Sequence, residues 1–240
     1  MDSVKLSPRL TQIFRMVGSA RRVADIGSDH ALLPIALCQN DRERAALASD
    51  INEGPCARAR ENIAKFNLTD RIAVACRPGL QGVDEFAPDC VVIAGMGGEM
   101  VASILAESDY PRMSRCRLIL QPMSMQDVLR RWLCGNGFAV SEERVVFDDG
   151  KYYQIIAAAW DGVPRTMSEP EYRLGALNLA RAASNSTDTD IAWLRQVRTA
   201  AERRIEGRKN AASPVIDQTD GDMVQCIDKI LNGVDNHANG

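Results

Sequence analysis

The chain has 240 residues, 45% of them hydrophobic and 25% charged, and its formal net charge is −3 at pH 7. This composition is typical of a globular protein with a full core and gives no general attraction to nucleic acid, so any RNA site must be a local basic patch. No apolar run is long enough to span a membrane, and the N-terminus lacks the apolar core of a signal peptide, which predicts a cytoplasmic protein without a membrane partner.

Cysteine and histidine are too scattered to indicate a disulfide framework or a metal site. The seven cysteines contain no Cys-x-x-Cys pair, and the two histidines, His30 and His237, lie far apart in the chain. Reduced, buried thiols and no bound metal are therefore expected.

The first part of the chain alternates predicted helices and strands. Apolar residues at helical spacing predict a helix over residues 4–18. Buried strands are predicted at residues 23–26, 45–49, 71–76, 89–94 and 117–120, and helices between them at residues 31–38, 52–66, 100–105 and 126–134. Strands separated by helices predict a parallel sheet that is covered on both faces.

The turn after the first strand, Gly27-Ser28-Asp29-His30, lies where ligands of such sheets bind. A dinucleotide site needs three glycines here and would be repelled by the acidic residues, so a neutral or cationic nucleoside is favoured. S-adenosylmethionine, which carries a sulfonium and no phosphates, fits this description. Asp50 follows the second strand, where an acid binds ribose hydroxyls. The alternatives are that Gly27 only ends a strand and that Asp50 is a solvated acid.

The strand at residues 89–94 runs into Gly95-Met96-Gly97-Gly98. Three glycines in four residues let the backbone approach a flat ligand or an unstacked base, although a merely flexible loop would have the same composition.

The second part of the chain changes the topology. Two β-rich runs, residues 138–147 and 151–160, are joined by Asp148-Asp149-Gly150, which predicts an antiparallel hairpin. Five strands with helices and a final hairpin are the element order of an α/β, class I (Rossmann-like) methyltransferase sheet. Residues 171–183 and 190–209 predict a C-terminal α-helical hairpin. We therefore expect a methyltransferase domain at residues 1–162 and a helical, coiled-coil-like domain at 163–240, with a polar, acidic tail of no assigned role and disordered last residues.

The second helix of that hairpin concentrates positive charge. Its basic residues are Arg195, Arg198, Arg203, Arg204, Arg208 and Lys209. Such a cluster is either a solvated helix face or a patch that contacts RNA phosphates.

Several motifs resemble the bacterial TrmK family, the tRNA adenine N1-methyltransferases that act at tRNA position 22. They are Leu-Ser-Pro-Arg-Leu at 6–10, Asp-Ile-Gly-Ser-Asp-His-Ala at 25–31, Gly-Pro at 54–55, Ala-Gly-Met-Gly-Gly at 94–98, Leu-Gln-Pro at 120–122 and Lys-Tyr-Tyr-Gln at 151–154. The resemblance runs in register over residues 6–160 and more loosely into the C-terminal helices. It implies methylation of ring nitrogen 1 of an adenine in tRNA, S-adenosyl-L-methionine as the donor, and tRNA as the partner; no protein partner is evident, and a monomer is assumed.

The resemblance also implies two sets of site residues. The cofactor-binding set is Asp25, Gly27, Ser28, Asp50, Ile51, Pro78, Gly79, Ala94, Gly95 and Met96. The substrate-binding set is Arg9, Gly97, Gly98, Gln121, Pro122, Lys151 and Tyr153, and the basic C-terminal helix adds Arg195 and Arg198 as phosphate contacts. Where the family is expected to have Asp-Gly-Leu, this chain has Pro78-Gly79-Leu80, so an acidic contact to the adenine of the cofactor is missing and weaker or shifted cofactor binding is expected.

Asp29 and His30 are the candidate catalytic residues. Methyl transfer to ring nitrogen 1 of an extruded adenine needs alignment of donor and acceptor rather than a strong base, because the lone pair is already exposed. The product is cationic, and the Asp29 carboxylate would counter that charge or accept from the exocyclic amine. His30 would orient Asp29 or contact RNA; alternatively it caps the following helix.

Two other functions stay open. The protein could methylate another acceptor, such as ribosomal RNA, a protein or a small molecule, or it could be a catalytically weakened RNA- or nucleotide-binding protein. A nicotinamide oxidoreductase is disfavoured because the phosphate-binding glycines are missing.

Overall fold

The computed structural model describes residues 3–209 and 218–238, and in these residues seven strands form one mixed sheet. The strands are β1 (Arg22–Ile26), β2 (Ala45–Asp50), β3 (Ile72–Cys76), β4 (Cys90–Met96), β5 (Arg117–Pro122), β6 (Phe138–Asp148) and β7 (Lys151–Trp160). Their order in the sheet is β3-β2-β1-β4-β5-β7-β6; β1 to β5 are parallel, and β7 runs antiparallel to β5 and β6. The predicted Rossmann-like sheet with a terminal antiparallel hairpin is confirmed.

Helices cover both faces of the sheet. They are α1 (Pro8–Val17), α2 (Leu32–Asn40), α3 (Glu53–Lys65), α4 (Val83–Phe86), α5 (Gly98–Ala106), α6 (Tyr110–Ser114) and α7 (Gln126–Gly135). Successive strand residues alternate between the two faces, so Val91 and Ile93 pack with α5 and α7, whereas Val92 packs with α1 and α2. The short helices α4 and α6 were not predicted from the sequence.

Four further helices follow the hairpin: α8 (Glu169–Leu174), α9 (Ala176–Ser184), α10 (Asp188–Lys209) and α11 (Thr219–Ala238). The single helix expected at residues 171–183 is broken at Gly175, whose φ of 88° is open to glycine and strained for other residues. These helices share a core with Val145 of β6 and Tyr152 of β7. None of the helices in the described residues is both long and apolar enough to cross a membrane.

The sequence analysis assigned no role to the acidic tail, and in residues 219–238 the structure gives it a place in the core. These residues form α11, which buries Met223, Ile227 and Leu231 against Leu194 and Ala201 of α10. The three apolar side chains recur every four residues and therefore share one face of the helix. The expectation of disordered last residues concerns 239–240, which lie outside the described residues.

A buried ion pair joins the C-terminal helices to the hairpin. Arg130 of α7 donates through Nε to Glu143 Oε1 of β6 at 2.7 Å and through Nη2 to Gln154 of β7 at 2.7 Å. Its Nη1 donates to the carbonyl of Tyr172 in α8 at 3.0 Å, and Glu143 Oε2 accepts from the backbone N–H of Leu177 in α9 at 2.9 Å. The two charged side chains are 0% and 1% exposed, so five elements depend on this one pair.

All seven cysteines are free thiols. Cys38, Cys56, Cys90, Cys116 and Cys134 are buried, Cys226 is half-buried and Cys76 is exposed. The expectation of buried reduced thiols is wrong at Cys76, which is the last residue of β3 and lies at the open edge of the sheet.

Candidate active site

The loops after β1 to β4 surround a cavity of about 440 Å³ at the carboxyl edge of the sheet. Six of the ten predicted cofactor residues line it, namely Gly27, Asp50, Ile51, Pro78, Gly79 and Met96, together with Gly97 from the predicted substrate set. The opposite wall is one face of α5, formed by Met100, Ser103, Ile104 and Glu107. The cavity therefore lies where parallel sheets bind their ligands, and its volume suits a small molecule.

Gly27 brings the backbone close to its neighbours at the floor of this cavity. Its φ is +79°, and its N–H donates to the carbonyl of Ser49 at 2.7 Å. A Cβ atom at this position would lie 2.2 Å from Cε of Met96. The turn thus favours glycine for its conformation, beyond the ending of a strand, while the flexible end of the Met96 side chain would have to move aside for any Cβ atom.

Asp25 is a buried acid directly beneath that turn. Burial raises its pKa from 3.8 to about 6, while a hydrogen bond with the Ser28 side chain lowers it. Asp25 and Ser28 are both buried and do not line the cavity itself. A positively charged group placed near Asp25 would favour its ionised form.

Asp29 and His30 leave the turn towards α3 rather than into the cavity. Asp29 Oδ1 accepts from Nε of Arg58 at 2.9 Å and also from Arg58 Nη2, and His30 Nε2 lies 3.4 Å from Asp29 Oδ2. The Asp29 side chain is 51% exposed, and the His30 carbonyl accepts from Asn62 Nδ2 at 3.1 Å. No side chain caps α2, so His30 is not a helix cap. The two predicted residues do contact each other, but Arg58 was missed because an arginine on an amphipathic helix usually faces solvent.

A second group of predicted residues meets beside the loop Gly95-Met96-Gly97-Gly98 after β4, the glycine loop. Arg9 Nη1 donates to Oε1 of Gln121 at 2.5 Å, and the Gly95 N–H donates to the same oxygen at 3.2 Å. The guanidinium carbon of Arg9 lies 5.5 Å from the ring centroid of Tyr153, and its backbone N–H donates to Asp148 Oδ2 at 3.1 Å. The N-terminal helix, the end of β5 and the hairpin are thereby tied to the loop that follows β4. Ala94, half-buried, is the Cα partner of Gln121 at this point.

The glycine loop is also locked to residues 122–125. Gly98 donates to the Ser124 carbonyl at 2.8 Å, and Met123 donates to the Met96 carbonyl at 2.8 Å. A Cβ atom on Gly98 would lie 2.1 Å from the carbonyl oxygen of Met125. Gly98 is therefore buried against the backbone of this neighbouring loop, in which Pro122 is buried too, whereas Gly97 lines the cavity.

The remaining predicted substrate residues are distributed over the hairpin and α10. Lys151 is exposed at the hairpin turn, and Arg195 is exposed on α10. Arg198 is in an ion pair with Asp228 of α11, with Nε and Oδ1 at 2.5 Å, and in another with Glu202 at 2.9 Å.

Other arginines of α10 are also paired. Arg204 and Arg208 both donate to the buried carboxylate of Asp220, at 2.7 and 2.6 Å. Acidic residues of α11, which the sequence presents as a separate tail, thus counter much of the positive charge predicted to contact RNA.

Comparison with known proteins places the chain among methyltransferases. A family model described as a methyltransferase domain matches residues 6–156. The tRNA (adenine(22)-N(1))-methyltransferase of Bacillus subtilis is 34% identical over 170 residues, which cover 68% of this chain and 71% of that protein.

Two solved structures align with nearly the whole of this chain. A Streptococcus pneumoniae protein in complex with S-adenosyl-L-methionine is 29% identical, with a TM-score of 0.78 over 95% of this chain and 100% of the other. The TrmK of M. capricolum in complex with S-adenosyl-homocysteine is 26% identical, with a TM-score of 0.73 over 96% of this chain and 98% of the other.

Proposed function

The chain belongs to the family of the Bacillus subtilis tRNA (adenine(22)-N(1))-methyltransferase, and on that premise we propose that it transfers a methyl group from S-adenosyl-L-methionine to ring nitrogen 1 of an adenine in tRNA. The adenine at position 22 is the proposed target, since that position is in the name of the relative.

The cavity fits the cofactor in size and in chemistry. Asp50 at the end of β2 is placed to accept from ribose hydroxyls, and Ile51, Pro78 and Ile104 give apolar walls for a flat base. Asp25, whose burial opposes ionisation, would be stabilised as a carboxylate by a cationic group at the turn. When bound, S-adenosyl-L-methionine supplies an electrophilic methyl group on a sulfonium.

The target base is proposed to enter beside the glycine loop. Asp29, held by Arg58, accepts a hydrogen bond from the exocyclic amine and counters the positive charge that the ring gains. No proton has to be removed from ring nitrogen 1, so the protein mainly aligns the base and excludes water. Arg9, fixed by Gln121 over Tyr153, offers its remaining N–H groups to an RNA phosphate.

The observation that carries this proposal is that the glycine loop contacts both the cofactor cavity and the residues around Arg9. Met96 and Gly97 line the cofactor cavity, while Gly95 in the same loop donates to Gln121, which also holds Arg9. A donor in the cavity and a base beside Arg9 would therefore both contact this loop, which places them next to each other, as methyl transfer requires.

Incubation with labelled S-adenosyl-L-methionine and unmodified tRNA, followed by nuclease digestion and nucleoside identification, tests the proposal. The expected product is N1-methyladenosine, and a tRNA with guanosine at position 22 should remain unlabelled. Label in another nucleoside, in ribosomal RNA or in protein would identify a methyltransferase with a different acceptor. Cofactor binding with no labelled acceptor would indicate the catalytically weakened alternative.

The proposal extends to the organisation of the chain. Residues 1–162 would form the methyltransferase domain and residues 163–240 a helical domain that helps to hold tRNA, with exposed Arg195 and Lys151 as phosphate contacts. A monomer that works in the cytoplasm, where its tRNA substrate is found, completes the proposal. Sedimentation of the protein with and without tRNA would test the monomer.

A further inference from the structure

Two carboxylates, those of Asp50 and Glu107, line the cavity, and the proposed function assigns a role only to Asp50. Asp50 ends β2 and faces the expected ribose. Glu107 lies at the C-terminal end of α5, on the opposite wall. The role inferred for Glu107 rests on the proposed function, in which this cavity binds S-adenosyl-L-methionine.

Glu107 is directed to the cavity by helix geometry. Met100, Ser103, Ile104 and Glu107 stand three and four residues apart, so they share one face of α5, and all four line the cavity. Oγ of Ser103 donates to Oε1 of Glu107 at 2.9 Å, which restrains the carboxylate and leaves Oε2 to accept from another group. Within the part of the chain that the structure describes, no lysine or arginine forms an ion pair with Glu107.

Glu107 stands at the end of the cavity that is remote from Gly27. Pro78, Ile104 and Glu107 also border a second cavity of about 740 Å³, which Gly27 does not reach. The turn at Gly27 and Asp50 would hold the methionine part and the ribose, so the base would extend towards this end. Its flat faces would contact Ile104 and Pro78, and its polar edge would point to Glu107.

The residues that the loop after β3 places in the first cavity, Arg77, Pro78 and Gly79, offer no side-chain acceptor for that edge, since a guanidinium only donates. Pro78 has an apolar ring and no N–H, and Gly79 has no side chain. An exocyclic amine that is buried without an acceptor is destabilising, so an acceptor supplied by another element would stabilise the bound base. Glu107 is the carboxylate on this side of the cavity that can provide it.

We propose that Glu107 accepts a hydrogen bond from the exocyclic amine of the cofactor's adenine and so selects adenine as its base. A carboxylate is an acceptor only, so it favours the amine of adenine and repels the carbonyl oxygen that hypoxanthine has at the same position. The helix α5 therefore supplies the recognition that Pro78 cannot.

Calorimetry with two ligands, S-adenosyl-homocysteine and S-inosyl-homocysteine, tests this assignment without any need for turnover. The wild-type protein is expected to bind the adenosyl ligand at least about tenfold more tightly, and Glu107→Ala should reduce that preference to within about twofold. Glu107→Gln should bind both ligands, because an amide can present either its oxygen or its NH₂ group. Glu99→Ala is the matched control, since it removes an exposed acid from the same helix outside the cavity.

Each outcome is decisive. Equal binding of the two ligands by the wild type, or an undiminished preference in a Glu107→Ala protein that melts like the wild type, would overturn the role of Glu107 while the proposed methylation stands. Failure of the wild type to bind either ligand would overturn the cofactor assignment itself, and the role of Glu107 with it.

Discussion

The Asp29 carboxylate is fixed from two sides, by Arg58 at 2.9 Å and by His30 at 3.4 Å. Asp29→Asn should lower the rate of tRNA methylation by about 100-fold, because an amide cannot counter the charge that develops on the base. Affinity for S-adenosyl-L-methionine should change by less than about tenfold, since Asp29 does not line the cavity. Single-turnover kinetics and calorimetry measure the two effects separately. An unchanged rate would exclude Asp29 from the mechanism.

Asp25 makes the stability of the protein depend on pH. Its folded pKa of about 6 lies above its usual value of 3.8, so between these values the folded state binds more protons than the unfolded state. Folding stability from this residue is therefore lost as the pH rises through that window, by up to about 3 kcal/mol.

Asp25→Asn should remove this dependence. The variant is expected to melt at a higher temperature than the wild type at pH 7.5 and at nearly the same temperature at pH 4, because only the carboxylate pays the cost of burial. Thermal unfolding at the two pH values is the measurement. Equal gains at both would show that the side chain acts through packing instead.

At the scale of elements, the glycine loop contacts residues 122–125 so closely that there is no room for a side chain at Gly98. Gly98→Ala should destabilise the protein by about 2 kcal/mol, because the new Cβ would meet backbone rather than a movable side chain. The control is Gly135→Ala, which adds the same atom to a helix with nothing within 4 Å. Urea unfolding compares them. A Gly98→Ala protein as stable as the control would show that the two loops can separate at little cost.

The pairing of α10 with α11 depends on Asp220. This acid is 2% exposed, and Arg204 and Arg208 lower its pKa by hydrogen bonding to it. Asp220→Ala should cost about 2 kcal/mol of stability, because it removes the buried acceptor of hydrogen bonds from two arginines that remain partly exposed to solvent. Asp222→Ala changes an exposed acid of the same helix and should be nearly neutral. Similar melting of the two variants would contradict a structural role for Asp220.

Over the whole molecule, the sheet was predictable because its parallel strands are short apolar runs, three of which, β1, β2 and β4, run into glycine or an acid. The run at residues 89–94 and the Asp148-Asp149-Gly150 turn became β4 and the β6–β7 hairpin almost at the predicted residues. The helix α11 was missed because its apolar residues, Met223, Ile227 and Leu231, are spread through an acidic segment. The short helices α4 and α6 are too short to have a periodicity of their own.

The candidate site was predictable where glycine marks a close approach, as at Gly27 and in the loop after β4. Arg58 and Glu107 were not predictable, because a charged residue on a helix has the same pattern whether it faces solvent or a cavity. The buried pair of Arg130 and Glu143 was missed for the same reason, and also because its hydrogen-bond partners Tyr172 and Leu177 lie far from it in the chain.

That pair makes the joint between the sheet and the C-terminal helices stiff. Moving the helices away from the hairpin would expose or strand the Arg130 and Glu143 charges, a cost of about 3–5 kcal/mol when one partner is lost. The distance between α10 and the cofactor cavity is thereby held constant. An RNA that contacts both α10 and the cavity would place in the site the nucleotide that lies at that distance. The shape of the substrate would then select the base independently of the nucleotide sequence.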